Sequence, residues 1–264
     1  MQPHLIFALG DDVGWSNVGW NNPQVLTPHM DSLRAGGLAL EQHYAFKFCS
    51  PSRASFLSGR LPVHVNQENS ATEQEYAGIP LGMTLFSERL AQAGYKTAHI
   101  GKWHVGQATP QHLPHGRGFQ HALSYFNFGE DYYTQIRGGR GSERPGCGRA
   151  IGAVRAADGH DCTGVDLWKD TAPAYGLNGT MYGGFLYSRD AVSVIESHDP
   201  ASPLFMFVAW QNNHPPLEVP GEYVDRYPAG PRRTLINGMS AFLDESMANL
   251  TGALRRTGLP RARE

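Results

Sequence analysis

The stretch PLFMFVAW, residues 203–210, constrains the fold more than any other part of this chain. Its apolar residues run on without the alternation of a strand that has one wet face, so a strand here is buried on both sides. Strands of that kind belong to mostly parallel sheets with helices over both faces. His4–Ala8, just before Gly10, is a shorter run of the same sort, and KTAHI at 96–100 supplies a third strand. Helical patterns lie between them. Thr27-Pro28 opens one, with threonine as N-cap, proline at the first helical position and Gly36-Gly37 as the stop. Ser50–Ser58 reads as a helix closed by Gly59, and a Thr84 cap leads LFSERLAQA to Gly94. FLYSRDAVSVIESH is a helix before the long apolar strand, and an amphipathic helix covers Leu235–Arg256 and ends at Gly258. Ala39–Tyr44 is expected as a further strand. From about 107 to 173 the pattern dissolves into Gly, Arg, His and Pro, an irregular excursion. No linker divides the chain, so residues 1–264 read as one unit of an α/β fold.

The polar residues sharpen this reading. Asp11 and Asp12 follow the first strand, GKWH follows the third, and QNNH follows PLFMFVAW. Ligands of open α/β sheets bind beyond the carboxyl ends of the strands. Three strand ends therefore bring two carboxylates, Lys102, His104 and His214 to one rim. Composition narrows the partners. A net charge of −2 over 264 residues gives no support for nucleic-acid binding. No apolar run approaches the roughly 20 residues that cross a bilayer. MQPHLIFALGDD enters a strand pattern directly, with no signal-peptide pattern ahead of it. That leaves a cytosolic chain or one whose original N-terminus is missing. The sequons Asn178-Gly179-Thr180 and Asn249-Leu250-Thr251 permit glycosylation.

Cys49 opens CSPSRASFLSGR at what reads as a helix start, where the backbone N–H groups and the dipole favour a thiolate. A cysteine-phosphatase loop wants arginine six positions on, and that position is Ser55; the papain surroundings are also missing. A buried structural thiol is the plain alternative. Elsewhere, plain readings prevail. His112, His115 and His121 lack zinc spacing. GGRGSERPGCG follows no clear strand and so does not read as a phosphate loop. Arg137, Arg140, Arg144, Arg149 and Arg155 suit a solvated loop better than a sulfated-polysaccharide site.

Cys49-Ser50-Pro51-Ser52-Arg53, continuing to Gly59-Arg60, resembles the sulfatase signature. The resemblance extends through HLIFALGDDVGWSNVGW, TPHMDSLRAGG, LAQAGYKTAHIGKWHVG, FGEDYY and PLFMFVAWQNNHPPLEVP, and looks most like the arylsulfatase B (N-acetylgalactosamine-4-sulfatase) branch. It implies an alkaline-phosphatase-like, mostly parallel sheet covered by helices on both faces, of which this chain is the N-terminal portion. It implies that a formylglycine-generating enzyme oxidises Cys49 to formylglycine, with Pro51 and Arg53 needed for recognition. The hydrated aldehyde attacks sulfur with one hydroxyl, and the other helps to release sulfate. A serine would lack that second hydroxyl and be trapped as a sulfate ester. By the same resemblance, Asp11, Asp12 and the modified Cys49 coordinate calcium, which suits hard oxygen ligands. Arg53 holds the diol oxygen, Lys102 binds the sulfate oxygens, His104 takes a proton from the diol and His214 is the leaving-group acid. The implied substrate is a sulfated carbohydrate or aryl sulfate ester, and the implied home is lysosomal or secreted. A disulfide between Cys147 and Cys162 is implied as well.

The chain departs from the family's pattern beyond the His214 strand. Sulfatases complete the calcium site with an Asp-Asn pair on a later strand and add a second sulfate-binding lysine, and no Asp-Asn dipeptide occurs here. By the same resemblance, the family's small C-terminal domain is expected to be absent as well. The alternative expectation is therefore a truncated, catalytically inactive sulfatase-like protein, poorly soluble and with negligible activity as it stands.

Overall fold

The computed structural model describes residues 2–69, 78–137, 154–155, 161–162, 164–227 and 230–259. In chain order they form β1 (Leu5–Gly10), α1 (Pro28–Ala35), α2 (Cys49–Ser58), α3 (Phe86–Gln92), β2 (Lys96–Lys102), β3 (His121–Tyr125), β4 (Val154–Arg155), β5 (Asp161–Cys162), β6 (Trp168–Lys169), β7 (Ala172–Pro173), α4 (Gly183–Ser197), β8 (Leu204–Trp210), α5 (Gly221–Val224) and α6 (Pro231–Arg256). Six strands make one sheet in the order β1-β8-β2-β3-β6-β7, and β4 pairs with β5 apart from it. The first four are parallel; β6 and β7 extend the sheet antiparallel.

The apolar run explains the layers. Every residue of β8 is buried, and successive side chains leave on opposite faces. Met206, Val208 and Trp210 pack with Ile100 and with Ala191, Ile195 and Leu250 of α4 and α6. Phe205, Phe207 and Ala209 pack on the other face with Leu57 of α2, and with Leu85 and Phe119. Each large apolar side chain buried this way contributes about 1.5–3 kcal/mol. Register aligns the carboxyl ends: Gly10 pairs with Trp210, Gly101 with Ala209, and Lys102 with Tyr125. The polar residues after β1, β2 and β8 thus reach one rim, as expected. A third cluster, including Tyr132, Tyr182, Tyr223 and Phe242, closes that end beneath α5 and α6.

Four expectations need correction. Ala39–Tyr44 is not a strand but exposed coil and turn, without a ladder partner among the described residues, and a single extended segment has nothing to hold it. The stretch 107–173 is not wholly irregular: β3 lies within it, its last four residues buried beside β2, and so does the β6–β7 hairpin. The third correction concerns caps. Thr27 does not cap α1 with its side chain, which instead accepts from Gly19 N at 2.6 Å and donates to Asp31 at 3.0 Å. Asp244 of α6 accepts from His29 N and Met30 N in its place. Thr84 likewise yields to Leu85, whose N–H donates to Glu88 at 2.6 Å. Last, α4 and α6 each begin a few residues before the predicted start, at Gly183 and Pro231. The Cys147–Cys162 pairing lies outside the described residues, as do Arg140, Arg144 and Arg149. No described helix is long and apolar enough to cross a membrane.

Gly101 lets β2 lie close against β8 while handing Lys102 to the rim. Its φ is 97°, and a Cβ there would collide with the Ala209 carbonyl oxygen. Gly101→Ala should therefore destabilise the fold by more than about 3 kcal/mol in urea unfolding. A loss below about 1 kcal/mol would show that β2 is not held this tightly.

Candidate active site

The β1–β8 ladder runs on past the strands: Asp11 N donates to Asn212 O at 2.8 Å and Asn213 N donates to Asp11 O. Asp11 is thereby fixed at the rim with its carboxylate buried. Lys102, the last residue of β2 and wholly buried, brings Nζ to 2.5 Å from Asp11 Oδ2. Arg53, one turn into α2, places Nη2 3.5 Å from the same oxygen and donates through Nη1 to Lys102 O at 2.7 Å. One carboxylate thus joins β1, β2 and α2.

Cys49, the first residue of α2, sits over this pair, its Sγ 3.7 Å from Asp11 Oδ1. A ring nitrogen of His214 joins them, so that one donor atom each of Asp11, Cys49 and His214 lies within 4.8 Å of the others. His214 Nδ1 is 2.6 Å from Pro215 O, which makes Nδ1 the protonated nitrogen and leaves Nε2 for the site. His104 is buried beside Lys102 and Arg53, its Nδ1 without a partner. Its φ of 55° shows that the chain does not stay extended through Lys102-Trp103-His104; it turns at His104. Asp12, at φ 49°, is exposed, yet its charge acts on both Cys49 and His214. The structure thus gathers the seven predicted residues, with Cys49, Arg53, Lys102, His104 and His214 around Asp11 and Asp12 at the margin.

The electrostatics follow from burial and two cations. Burial would raise the Asp11 carboxyl, but Lys102, Arg53 and His214 outweigh it and hold the pKa below the ordinary value. Burial pushes the Cys49 thiol up, against the pull of Lys102 and Arg53. The helix start was expected to favour a thiolate; desolvation wins, and Cys49 is a thiol. Burial, then Lys102 and Arg53, lower His104 well below its usual value, so it is a neutral imidazole able to take a proton. His214 is also lowered, by burial and then Lys102. His112 and His121 do not gather: His112 faces Thr109, and His121 pairs with Asp190 at 2.7 Å.

Sequence reasoning missed four residues that support this rim. Gln211 Nε2 donates to Glu130 O at 2.6 Å and its Oε1 accepts from Glu130 N at 3.2 Å. Gly129 lies against His214, and Tyr132 donates its hydroxyl to His214 O at 3.0 Å. Tyr125, at the end of β3, has a buried hydroxyl without a partner, within range of the Asp11 and Arg53 charges. The signal available was FGEDYY beyond β3, polar and aromatic residues at the rim end of a strand.

The sulfatase family model matches residues 3–262. The chain belongs to the sulfatase family. It is 32% identical to mouse (Mus musculus) arylsulfatase J over 265 residues, which cover 97% of this chain and 40% of that protein. It is 31% identical to rat (Rattus norvegicus) arylsulfatase G over 83% of the chain and 42% of the relative. It is 28% identical to Mus musculus N-acetylgalactosamine-6-sulfatase over 97% and 48%. The solved structure of Ps i-CgsB superposes with a TM-score of 0.83 at 27% identity, over 98% of this chain and 56% of that one. The same protein has been solved with k-i-k-neocarrahexaose. The sheet is therefore that of the alkaline-phosphatase-like sulfatases, and the chain spans about half the length of these relatives.

In this sulfatase chain the Asp11–Lys102 pair should behave as a buried ion pair whose breakage strands a charge. Lys102→Met should cost about 3–5 kcal/mol, read as a drop in the urea midpoint. A change below about 1 kcal/mol would mean that Arg53 alone satisfies Asp11.

Proposed function

We propose that these residues form the active site of a sulfuric ester hydrolase that removes sulfate from a sulfated sugar or aryl ester, of the arylsulfatase B type. The observation that carries this reading is the Asp11 carboxylate set between Lys102 and Arg53, directly beneath Cys49. Two cations beside one buried carboxylate leave a positive site, which suits the anionic sulfate group as it is transferred, while the new negative charge develops on the departing oxygen. Once oxidised to formylglycine and hydrated, Cys49 supplies the hydroxyl that reaches sulfur. The roles of the other residues follow from their placement. Arg53 and Lys102 hold oxygens by charge, and neutral His104 accepts the proton of the attacking hydroxyl. His214, after taking a proton from solvent on Nε2 to become imidazolium, passes that proton to the departing oxygen and returns to the Nδ1-protonated neutral ring.

A calcium ion fits this donor set by its chemistry. Asp11 spends Oδ2 on the two cations and keeps Oδ1 toward Cys49, with the Asp12 charge close by. Asp11, Asp12 and the oxygen that replaces Sγ on Cys49 would hold the ion, whose charge would draw electron density from that oxygen. Lysosomal or secreted placement, and contact with a formylglycine-generating enzyme, are parts of the same proposal and rest on the family.

A second reading, in which this chain turns over negligibly, is favoured by the ligand count. Calcium takes about six to eight oxygens, against three from the described residues. Calorimetry should give a dissociation constant of about 10⁻⁴ M or weaker, weaker still in Asp12→Ala. Nanomolar affinity would refute the count.

Co-expression with a formylglycine-generating enzyme should convert Cys49. Mass spectrometry of the peptide covering Phe48–Arg53 should show aldehyde in place of thiol, and Arg53→Ala should prevent it. The converted chain should then release the phenol from a chromogenic aryl sulfate only when calcium is added. Unmodified cysteine in such cells, or calcium-independent release, would count against the proposal.

A further inference from the structure

The turn after β3 is built against His214 from three sides. Gly129 is buried, and a Cβ there would stand 3.0 Å from both Cε1 and Nδ1 of the His214 ring and 3.2 Å from Pro215 O. The absence of a side chain is what lets this backbone lie along the Nδ1 edge of the imidazole. Tyr132 donates its hydroxyl to His214 O at 3.0 Å, and its ring is fixed by stacking on Tyr182 at 5.1 Å and 8°. The Phe128 ring lies 6.3 Å from the imidazole. The turn itself cannot drift. Gln211 grips the Glu130 backbone at both N–H and C=O, and Tyr187 holds the Glu130 carboxyl at 2.5 Å. Gln211 lies one residue before Asn212, whose carbonyl receives Asp11 N. The turn and the Asp11 rim are thus one rigid piece.

We propose that residues 128–132 are a seat for His214, with Gly129 and Tyr132 as positioning residues that set the line of proton transfer from Nε2 to the leaving oxygen. This inference rests on the leaving-group role given to His214 above. The seat keeps the Nδ1 proton on Pro215 O, which leaves Nε2 as the nitrogen free to exchange a proton, and one ring nitrogen of His214 lies within 4.8 Å of donor atoms of Asp11 and Cys49. For this step His214 carries a second proton, taken from solvent on Nε2. As the diol oxygen bonds to sulfur and the S–O ester bond breaks, the electron pair stays on the departing oxygen, the Nε2 proton passes to it, and the ring is left neutral with its Nδ1 proton. A methyl group at position 129 would push the ring by a few tenths of an ångström, and proton transfer is sensitive to small misplacements.

The test uses the whole converted, calcium-loaded chain in single-turnover reactions with enzyme in excess, on phenyl sulfates whose phenols span a range of acidity. Gly129→Ala should slow the least acidic phenol about tenfold and the most acidic one little, because only a poor leaving group needs the proton. Tyr132→Phe keeps the stacked ring and should shift the series the same way by less; it serves if Gly129→Ala does not fold. His214→Ala should show the same trend, larger. A second readout needs no turnover: the rate at which diethyl pyrocarbonate modifies His214, followed by peptide mass spectrometry with the exposed His64 and His115 as references. That rate should change severalfold in Gly129→Ala. A uniform loss across the series with unchanged His214 reactivity overturns the seat. Changed reactivity in Gly129→Ala, with no leaving-group dependence in His214→Ala, supports the seat and overturns the proton-donor role on which the inference rests.

Discussion

One buried carboxylate organises this molecule. Asp11 ends β1, and its Oδ2 faces both Lys102 from β2 and Arg53 from α2. An ion pair taken out of water is weak evidence for stability, since desolvation offsets much of the attraction. Its strength lies in specificity: removing Asp11 would leave two buried cations uncompensated, and removing either cation would free one of the elements it ties to Asp11. The sheet, the α2 start and the rim are therefore held in a single relative placement.

The chemistry of the site is set by that placement. Cys49 reaches the rim only because Arg53, one helical turn later, is tied to Lys102 O and Asp11. Burial, and then the same two cations, keep His104 neutral, and those cations outnumber the one buried carboxylate they face. A site of this polarity is poor for a cationic substrate and good for an anionic one. Gly101 and the aligned register of β2 and β8 are the backbone conditions for it.

Much of this was legible in the sequence because it depends on short-range pattern. PLFMFVAW reads as a doubly covered strand, and polar residues directly after Gly10, Gly101 and Trp210 read as a rim. The signature at Cys49–Arg53 brought the rest together. What was not legible depends on distant partners. HALSY at β3 is too short and mixed to stand out among its Gly, Pro and His neighbours, and becomes a strand because β2 is already there to pair with it. The cap of α1 comes from Asp244 in α6, more than 200 positions away in the chain. Cys49 looked like a thiolate from its helix position alone, and the burial that reverses this is a tertiary property. Gly129 carries no chemistry of its own; it matters only because His214 comes to rest against it.

The central claim is that Cys49 occupies the position from which sulfur is attacked. The most direct measurement uses Cys49→Ser, which offers one hydroxyl at that place and has no second one to release the product. Incubated with an activated aryl sulfate and calcium, this variant should gain the mass of one SO3 group on the peptide that contains position 49, with release of a matching amount of phenol. The added group should be absent when Lys102 is also replaced. Phenol release with no mass gain at position 49, or a gain at another residue, would contradict the account.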